Sequence, residues 1–343
     1  GLKFFTGHGL KISAEEENKI EDFFYNYDFD NFKIKQSNYG KAIRLKNALG
    51  RYSEALKQSA DGNLNYSKLK VTLDCANGAS YKVAPEVLFE LGLDLHTIGN
   101  NPSGTNINQN CGSLFPQKAS ALVKKKKCDI GICLDGDGDR VIIIDEKGKV
   151  LSGEELIYIL AKYYLSENKI KKGSVIVTNE IANHGLDISL ENLGLKLKRV
   201  KVGDKNILKE IIDNKYFFGG EHSVHFIFKD DTLIGDGMTT AIRLLTLILK
   251  KNKKLSLLRK GIDLLEVINI NQKIDREKFY LSQEVIYQKL NKLCKNLDIY
   301  YNIRPSGTEP LLRVNLQYHK RNIKVSTLNK LKTQIIKVIS DAC

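Results

Sequence analysis

The stretch Ile130-Gly-Ile-Cys-Leu-Asp-Gly-Asp-Gly-Asp-Arg140 joins a short apolar run to three aspartates at alternate positions. The apolar run is typical of a buried β-strand. The aspartates then lie at the carboxyl end of that strand, where α/β sheets bind ligands. Neighbouring carboxylates repel one another unless a cation joins them, and Gly136 and Gly138 allow the loop to turn so that they converge. Hard oxygen ligands suit Mg²⁺ or Ca²⁺. The stretch therefore predicts a metal site with the ligands Asp135, Asp137 and Asp139.

An EF-hand loop is the alternative to consider, because the three aspartates occupy its positions 1, 3 and 5 and Glu146 its position 12. An EF-hand requires Gly at position 6, and Arg140 stands there. The following residues Val141–Ile144 predict a strand, and no helix precedes the loop. We therefore reject the EF-hand.

Strand and helix signals alternate on both sides of this loop, which predicts an α/β protein with parallel sheets. The first βαβ unit comprises Lys70–Asp74, Ala84–Leu91, Leu95–Ile98, Pro116–Lys127 and Ile130–Leu134. A second follows with Glu154–Leu165, Ser174–Thr178, His184–Leu193, Leu197–Val202, Asn206–Asp213, Tyr216–Gly219 and Met238–Lys250. From Leu265 onward, three strands and two long helices predict an α+β unit.

The N-terminal segment predicts two helices. Ser13 and Glu16 have the spacing of a capping box, so one helix should begin there. A second helical pattern covers Lys41–Gln58. The polar, Gly- and Asn-rich residues Ser59–Asn65 are typical of a linker.

Composition excludes several classes of protein. Hydrophobic residues make up 42% of the 343-residue chain and charged residues 27%, as in globular proteins. No apolar run approaches the roughly 18 residues of a membrane span. The net charge of +14 comes from lysines spread along the chain, without the interleaved aromatics of a nucleic-acid platform. The six cysteines form no Cys-x-x-Cys pair, which favours reduced thiols in the cytoplasm.

The segment Arg304-Pro-Ser-Gly-Thr-Glu-Pro310 lies between two predicted strands and could bind an anion. Arg304 can hold a phosphate through paired hydrogen bonds. Ser306 and Thr308 offer hydroxyls, and Gly307 allows backbone N–H groups to face the anion. An ordinary Pro/Gly turn is the alternative.

The segment 219–225 carries a carboxylate, a hydroxyl and an imidazole at alternating positions, Glu221, Ser223 and His225. In an extended segment they would project from one side, and they can bind sugar hydroxyls. A solvated edge strand would show the same alternation.

Further segments resemble the bacterial phosphoglucosamine mutases of the α-D-phosphohexomutase superfamily rather than the phosphomannomutases. They are Leu73-Asp-Cys-Ala-Asn-Gly-Ala79, Tyr81, Ala84-Pro85, Asn106-Ile-Asn108 and Asn110-Cys-Gly-Ser113. The resemblance covers the whole chain. It implies tandem phosphohexomutase-type α/β domains and a C-terminal α+β domain around a central cleft. We expect a remnant of domain I at 1–58, domain II at 59–153, domain III at 154–258 and domain IV at 259–343.

The resemblance also implies an activity: interconversion of glucosamine 6-phosphate and glucosamine 1-phosphate for UDP-N-acetylglucosamine synthesis. An active-site phosphoserine and a glucosamine 1,6-bisphosphate intermediate take part, with Mg²⁺ as cofactor. The implied binding partners are phosphosugars, and neither nucleic acid nor a membrane is expected to bind. The implied location is the cytoplasm. A homodimer is one possible oligomeric state. The alternatives are a phosphomannomutase/phosphoglucomutase and a phosphosugar-binding fragment without catalysis.

By the same resemblance, individual residues acquire roles. The three aspartates correspond to the Mg²⁺ ligands, and Arg140 offsets charge on the moving phosphoryl group. Lys3 matches a lysine that serves as general acid or base. The remaining matches are the sugar-binding Glu221, Ser223 and His225, and the phosphate-binding Arg304, Ser306, Gly307 and Thr308.

Three departures from the family pattern stand out. The family's serine loop lies just upstream of the segment that matches Gly1–Lys3, so we expect the chain as given to lack the nucleophile and to be inactive alone. Val224 stands where the sugar-binding loop has Gly. Lys205 replaces the Arg of a Gly-Asp-Arg turn.

Overall fold

The computed structural model describes residues 3–27, 40–41, 43–230, 233–295, 297–306 and 309–342. Within them the chain divides into two units. Unit 1 contains residues 1–150 and 225–255, and unit 2 contains residues 151–224 and 256–343.

Helices and strands alternate along most of the chain. Up to residue 150 they are α1 (Ala14–Asn26), α2 (Ala48–Gln58), β1 (Lys70–Asp74), α3 (Val83–Glu90), β2 (Asp94–Ile98), α4 (Gln117–Lys126), β3 (Ile130–Leu134) and β4 (Val141–Asp145). They continue with α5 (Gly153–Ser166), β5 (Val175–Asn179), α6 (Gly185–Glu191), β6 (Lys196–Val200), α7 (Asp204–Asn214), β7 (Phe218–Gly220), β8 (Phe226–Phe228) and α8 (Gly237–Lys251). The last are α9 (Leu255–Leu258), β9 (Glu266–Lys273), α10 (Arg276–Lys295), β10 (Tyr300–Pro305), β11 (Leu311–Tyr318) and α11 (Val325–Ser340).

The sheet of unit 1 has the strand order β2-β1-β3-β4. β1 is parallel to β2 and β3, whereas β4 returns antiparallel to β3, with Leu134 opposite Val141. All five residues of β3 are buried, as a strand in the middle of a covered sheet requires. The α/β fold with a parallel sheet is therefore confirmed, and the aspartate loop joins β3 to β4.

Unit 2 contains two sheets. In the first, β5 lies between β6 and β7 and is parallel to both. In the second, the order is β10-β11-β9 and all pairing is antiparallel. Apolar residues on one face of this second sheet, including Ile270, Ile303 and Val314, form a core with side chains of α10 and α11. The opposite face of this sheet carries several polar residues, among them Asn269, Asn302 and Asn315.

The N-terminal predictions had mixed outcomes. The capping box of Ser13 and Glu16 is present, with both reciprocal hydrogen bonds, and α1 follows it as predicted. The prediction of a helix over Lys41–Gln58 was wrong in its first half. The helix begins at Ala48, because Asn47 has φ −105° and ψ 11°, outside the helical region.

Among the helices of the described ranges, none combines the length and hydropathy that a bilayer span needs.

Candidate functional site

The aspartate loop folds back over its first residue. Oδ1 of Asp135 accepts hydrogen bonds from the backbone N–H groups of Gly138, at 3.0 Å, and Arg140, at 3.1 Å. Gly138 has φ +80°, a left-handed conformation that costs a residue with a side chain roughly 1–2 kcal/mol. Gly138 therefore permits the turn that brings the carboxylates together.

The three carboxylates converge. Oxygens of Asp135, Asp137 and Asp139 all lie within 4.8 Å of one another. Oδ1 of Asp139 is buried and has no hydrogen-bond partner within the described part of the chain. A buried, unused carboxylate oxygen beside two further carboxylates is a donor set that a hard divalent cation prefers. The residues of this loop therefore fit the predicted metal.

Lys3 lies against the same carboxylates. Its Nζ is 2.7 Å from Oδ2 of Asp139 and also contacts Asp137. Partial burial would lower the pKa of Lys3, but the hydrogen bonds to the two aspartates outweigh it and raise the pKa above its usual value. The structure thus brings the predicted acid or base to the predicted metal loop.

Two carboxylates of the loop differ in how readily they ionise. Burial raises the pKa of Asp135 to about 6, and repulsion from Asp139 and Asp137 acts in the same direction. At Asp137 burial also opposes ionisation, but the hydrogen bond and charge of Lys3 outweigh it and hold the pKa below its usual value. The ionised loop is therefore only partly compensated by Lys3, which favours binding of a further cation.

Two more predicted residues belong to this site in unit 1. Nε of Arg140 lies 3.9 Å from Asp135 Oδ2 and 3.7 Å from Asp139 Oδ1, and its side chain is half exposed. Nδ1 of the buried His225 lies 3.9 Å from Asp139 Oδ2. A Cβ at Gly235 would collide with the imidazole of His225. His225 therefore lies beside the aspartates, in the unit that does not contain Glu221 and Ser223.

In unit 2, Glu221 and Ser223 meet directly. The Ser223 hydroxyl donates to Oε2 of Glu221 at 3.0 Å, and Oε1 accepts from the Asn179 amide at 3.1 Å and the Gly203 N–H at 3.2 Å. The prediction of an extended segment was wrong, because the Val224 N–H donates to the Glu221 carbonyl at 3.0 Å and closes a turn. Val224 has φ +62° in this turn. That conformation is an outlier for a β-branched residue.

Between these two residues, His222 forms an ion pair that the sequence analysis missed. Its Nδ1 lies 2.9 Å from Oε1 and 3.0 Å from Oε2 of Glu154, in the first turn of α5. The Glu154 side chain is only 2% exposed, whereas that of His222 is 59% exposed. Glu154 is one of two acidic residues in the first turn of α5, next to the capping-box residue Glu155, so nothing in the sequence distinguished it.

Arg304, the first residue of the predicted phosphate-binding segment, lies at a cavity of about 850 Å³ in unit 2. Arg304, on β10, lines this cavity together with Arg313, on β11, and His222. Ser306 is buried, and its hydroxyl accepts from Arg313 Nη2 at 3.2 Å. Gly307 and Thr308 lie outside the described residues. Because Arg313 is opposite Arg304 in the β10–β11 register, the strand pairing adds a second guanidinium that sequence reasoning missed.

Comparison with known proteins assigns the chain to a family. A family model described as phosphoglucomutase/phosphomannomutase, alpha/beta/alpha domain II, matches residues 50–148, and the corresponding model of domain III matches residues 152–263. A phosphoglucosamine mutase of Ruminiclostridium cellulolyticum is 39% identical over 99% of this chain and 75% of its own length. The chain belongs to the phosphoglucosamine mutase family. A second member, from Thermodesulfovibrio yellowstonii, is 38% identical over 92% of this chain and 71% of its own length.

Solved structures agree on the fold. A phosphoglucomutase/phosphomannomutase family protein of Burkholderia thailandensis superposes with a TM-score of 0.69 at 20% identity, over 86% of this chain and 64% of that one. Aspergillus fumigatus N-acetylphosphoglucosamine mutase, solved with GlcNAc-6P and magnesium, gives 0.65 at 18% identity, over 85% and 69%. Membership of the phosphoglucosamine mutase family confirms the predicted type of enzyme, a phosphosugar isomerase.

Proposed function

We propose that this chain binds Mg²⁺ on the Asp135–Asp139 loop and serves the interconversion of glucosamine 6-phosphate and glucosamine 1-phosphate. The observation that carries the proposal is the convergence of three carboxylates after β3 in a phosphoglucosamine mutase family member. Mg²⁺ held there would stabilise negative charge on a transferring phosphoryl group. Arg140, close to the same carboxylates, adds a positive charge at that position.

Lys3 is the residue that we propose to move a proton. Phosphoryl transfer to a sugar hydroxyl releases a proton, and the reverse transfer requires one. The Lys3 ammonium lies at the metal loop, and its raised pKa keeps it protonated at neutral pH. Lys3 therefore enters the reaction as an acid, which donates its proton to the oxygen that loses the phosphoryl group. The resulting neutral amine accepts the proton of the attacking hydroxyl in the return transfer.

The substrate contacts that we propose are of two kinds. Glu221 and Ser223 present a carboxylate and a hydroxyl that can bind sugar hydroxyls, and His225 completes the predicted sugar-binding set. Arg304 and Ser306 hold the phosphate that is not transferred, together with Gly307 and Thr308. The proximity of Arg304 and Arg313 in one cavity supports this assignment.

The remaining parts of the proposal rest on the family resemblance. They are the phosphoserine, the glucosamine 1,6-bisphosphate intermediate, the four-domain division and a homodimer as one oligomeric state. A cytoplasmic location is also proposed, and the five buried free cysteines of the described residues suit a reducing compartment.

Isothermal titration calorimetry of the 343-residue chain tests this proposal. Glucosamine 6-phosphate, glucose 6-phosphate and mannose 6-phosphate are compared with and without Mg²⁺. We expect Mg²⁺ to bind and the glucosamine ester to bind most tightly. Equal affinities for the three esters would favour a phosphomannomutase/phosphoglucomutase, and absence of both Mg²⁺ and ester binding would overturn the proposal.

A further inference from the structure

The turn that follows β7 directs consecutive side chains to different surroundings. Glu221 and Ser223 bond to each other. His222, between them, lies in the wall of the 850 Å³ cavity that also contains Arg304 and Arg313. His222 is thus the residue of this loop that shares a cavity with the phosphate-binding arginines.

The orientation of His222 is set by its buried partner. Glu154 Oε1 also accepts from the Asn183 N–H at 3.0 Å, so the carboxylate is held from two sides. A Cβ on Gly153 would collide with the backbone of Glu221 and His222, which shows how closely the loop packs on α5. Because Nδ1 donates to the carboxylate, Nε2 on the opposite edge of the ring is the atom that remains for a ligand.

The polar face of the C-terminal sheet supplies the rest of the cavity wall. Several neutral amides of this face line the cavity: Asn269, Asn271, Asn302, Asn315 and Gln317. The charged groups that line the cavity besides His222 are Glu154 on α5, Glu266 on β9, Arg304 on β10 and Arg313 on β11. A phosphate ester in this cavity therefore has two guanidinium groups and one imidazole as its cationic neighbours, and of these Arg313 also pairs with Glu309 at 3.1 Å.

His222 and Glu154 each stabilise the charged form of the other. The hydrogen bond to Glu154 raises the pKa of His222 above its usual value, against the effect of burial. Burial would raise the pKa of Glu154, but the hydrogen bond from His222 outweighs it and lowers that pKa. Both charges are therefore favoured near neutral pH.

We propose that His222 is a further phosphate-binding residue, which donates its Nε2–H to the phosphate ester of the substrate, and that Glu154 is its positioning residue. The inference rests on the proposed function, because it requires the substrate phosphate to enter the cavity of Arg304. It adds to that function a third cationic group with a charge that depends on pH.

Calorimetry on the 343-residue chain with glucose 6-phosphate, and with glucose as the phosphate-free control, tests this inference. Between pH 7.0 and 8.5 the ester is already a dianion, since its second pKa is about 6, and the sugar has no titrating amine. At pH 7.0 we expect His222→Gln to weaken ester binding about tenfold, the effect of one charged hydrogen bond. Glucose binding should not change. The exposed His8→Gln is the matched control.

The pH dependence separates a binding role from a structural one. Wild-type affinity for the ester should fall as the pH rises toward 8.5, and His222→Gln should lose that dependence. Glu154→Gln should already bind the ester weakly at pH 7.5, where wild type still binds it, because His222 without its partner loses its proton at a lower pH. The affinity of His222→Gln should not depend on pH in this range. Proton NMR should show a lower His222 pKa in Glu154→Gln.

Two results would overturn the inference. One is wild-type affinity of His222→Gln for glucose 6-phosphate at pH 7.0; the other is equal weakening for glucose and its phosphate ester. Arg304→Ala separates a failure of the proposed phosphate site from a failure of the role of His222. If Arg304→Ala binds the ester normally, the cavity is not the phosphate site and the proposed function of Arg304 fails with it. If Arg304→Ala loses binding and His222→Gln does not, the role of His222 alone is wrong.

Discussion

Nζ of Lys3 lies 2.7 Å from Oδ2 of Asp139, although the two residues are 136 positions apart in the chain. The same ammonium contacts Asp137. A cation from the N-terminal segment therefore occupies positions around two of the three carboxylates that we assign to the metal. Lys3 would compete with a divalent ion bound there for these oxygens.

The first prediction follows from that competition. Lys3→Met should raise the Mg²⁺ affinity of the chain about tenfold, because the carboxylates lose a competing positive charge at hydrogen-bond distance. Calorimetric titration with MgCl₂ at low ionic strength measures the change. Lys19→Met, which removes an exposed ion pair with Glu15, is the control and should have wild-type affinity. An unchanged affinity of Lys3→Met would show that the ammonium and the metal do not share ligands.

Asp137→Asn tests the metal site itself. The amide keeps the shape of the side chain but removes one of the three anionic ligands, so Mg²⁺ affinity should fall about tenfold or more. The Asp137 side chain is 51% exposed, and the fold should therefore persist by circular dichroism. Asp94→Asn removes a carboxylate of similar exposure that pairs with Lys70 instead, and it should bind Mg²⁺ normally. Equal affinity in both variants would exclude Asp137 as a ligand.

Replacement of Arg304, in the predicted phosphate-binding segment, by lysine should weaken phosphate binding. Lys keeps the charge but cannot form paired hydrogen bonds with one phosphate. Arg304→Lys should weaken glucosamine 6-phosphate binding about tenfold or more, and titration calorimetry measures the change. Arg321→Lys, an exposed change in the same unit, provides the comparison. Equal glucosamine 6-phosphate affinity of the two variants would indicate that the segment is an ordinary turn.

The sequence predicted most of the fold because periodicity is a local property. The strand Ile130–Leu134 and the helix after Ser13 were found from apolar spacing and a capping box alone. The three aspartates were found because carboxylates crowded after a buried strand repel one another unless a cation joins them. In contrast, the helix start at Ala48 depends on the backbone of Asn47, which residue preferences specify weakly.

Contacts between residues distant in sequence were the part that could not be predicted. The pairing of Glu154 with His222 joins the first turn of a helix to a loop 68 residues away. Arg313 reaches Ser306 only because β10 and β11 pair in one particular register. The resemblance implied that Lys3 is a general acid or base, and only the fold shows that it lies beside Asp139. Such contacts depend on tertiary packing, which no local pattern encodes.

Val224 provides a test of backbone conformation. It is 3% exposed and has φ +62°. Ala and Gly both remove the buried apolar groups, but only Gly adopts the left-handed conformation without a steric cost of about 1 kcal/mol. In urea unfolding, Val224→Gly should therefore be more stable than Val224→Ala by about that amount. At Val123, which is buried in the helix α4, Val123→Ala should instead be more stable than Val123→Gly, because Ala favours the helix. The same order at both positions would contradict the left-handed conformation.

The last prediction concerns the carboxylate whose ionisation the fold disfavours. The pKa of Asp135 is about 6 in the folded protein, against 3.8 ordinarily. Because the folded value is the higher one, the folded state binds the proton more tightly, and its stability decreases as the pH rises from about 4 to about 6. Asp135→Asn cannot ionise, yet its Oδ1 still accepts from Gly138 and Arg140. In EDTA at pH 7.5 the variant should be more stable than wild type by about 1–3 kcal/mol, and at pH 4 the difference should vanish. Urea unfolding at both pH values measures it, and saturating Mg²⁺ at pH 7.5 should stabilise wild type more than the variant. A stability difference that is the same at both pH values would mean that repulsion and burial do not act on Asp135.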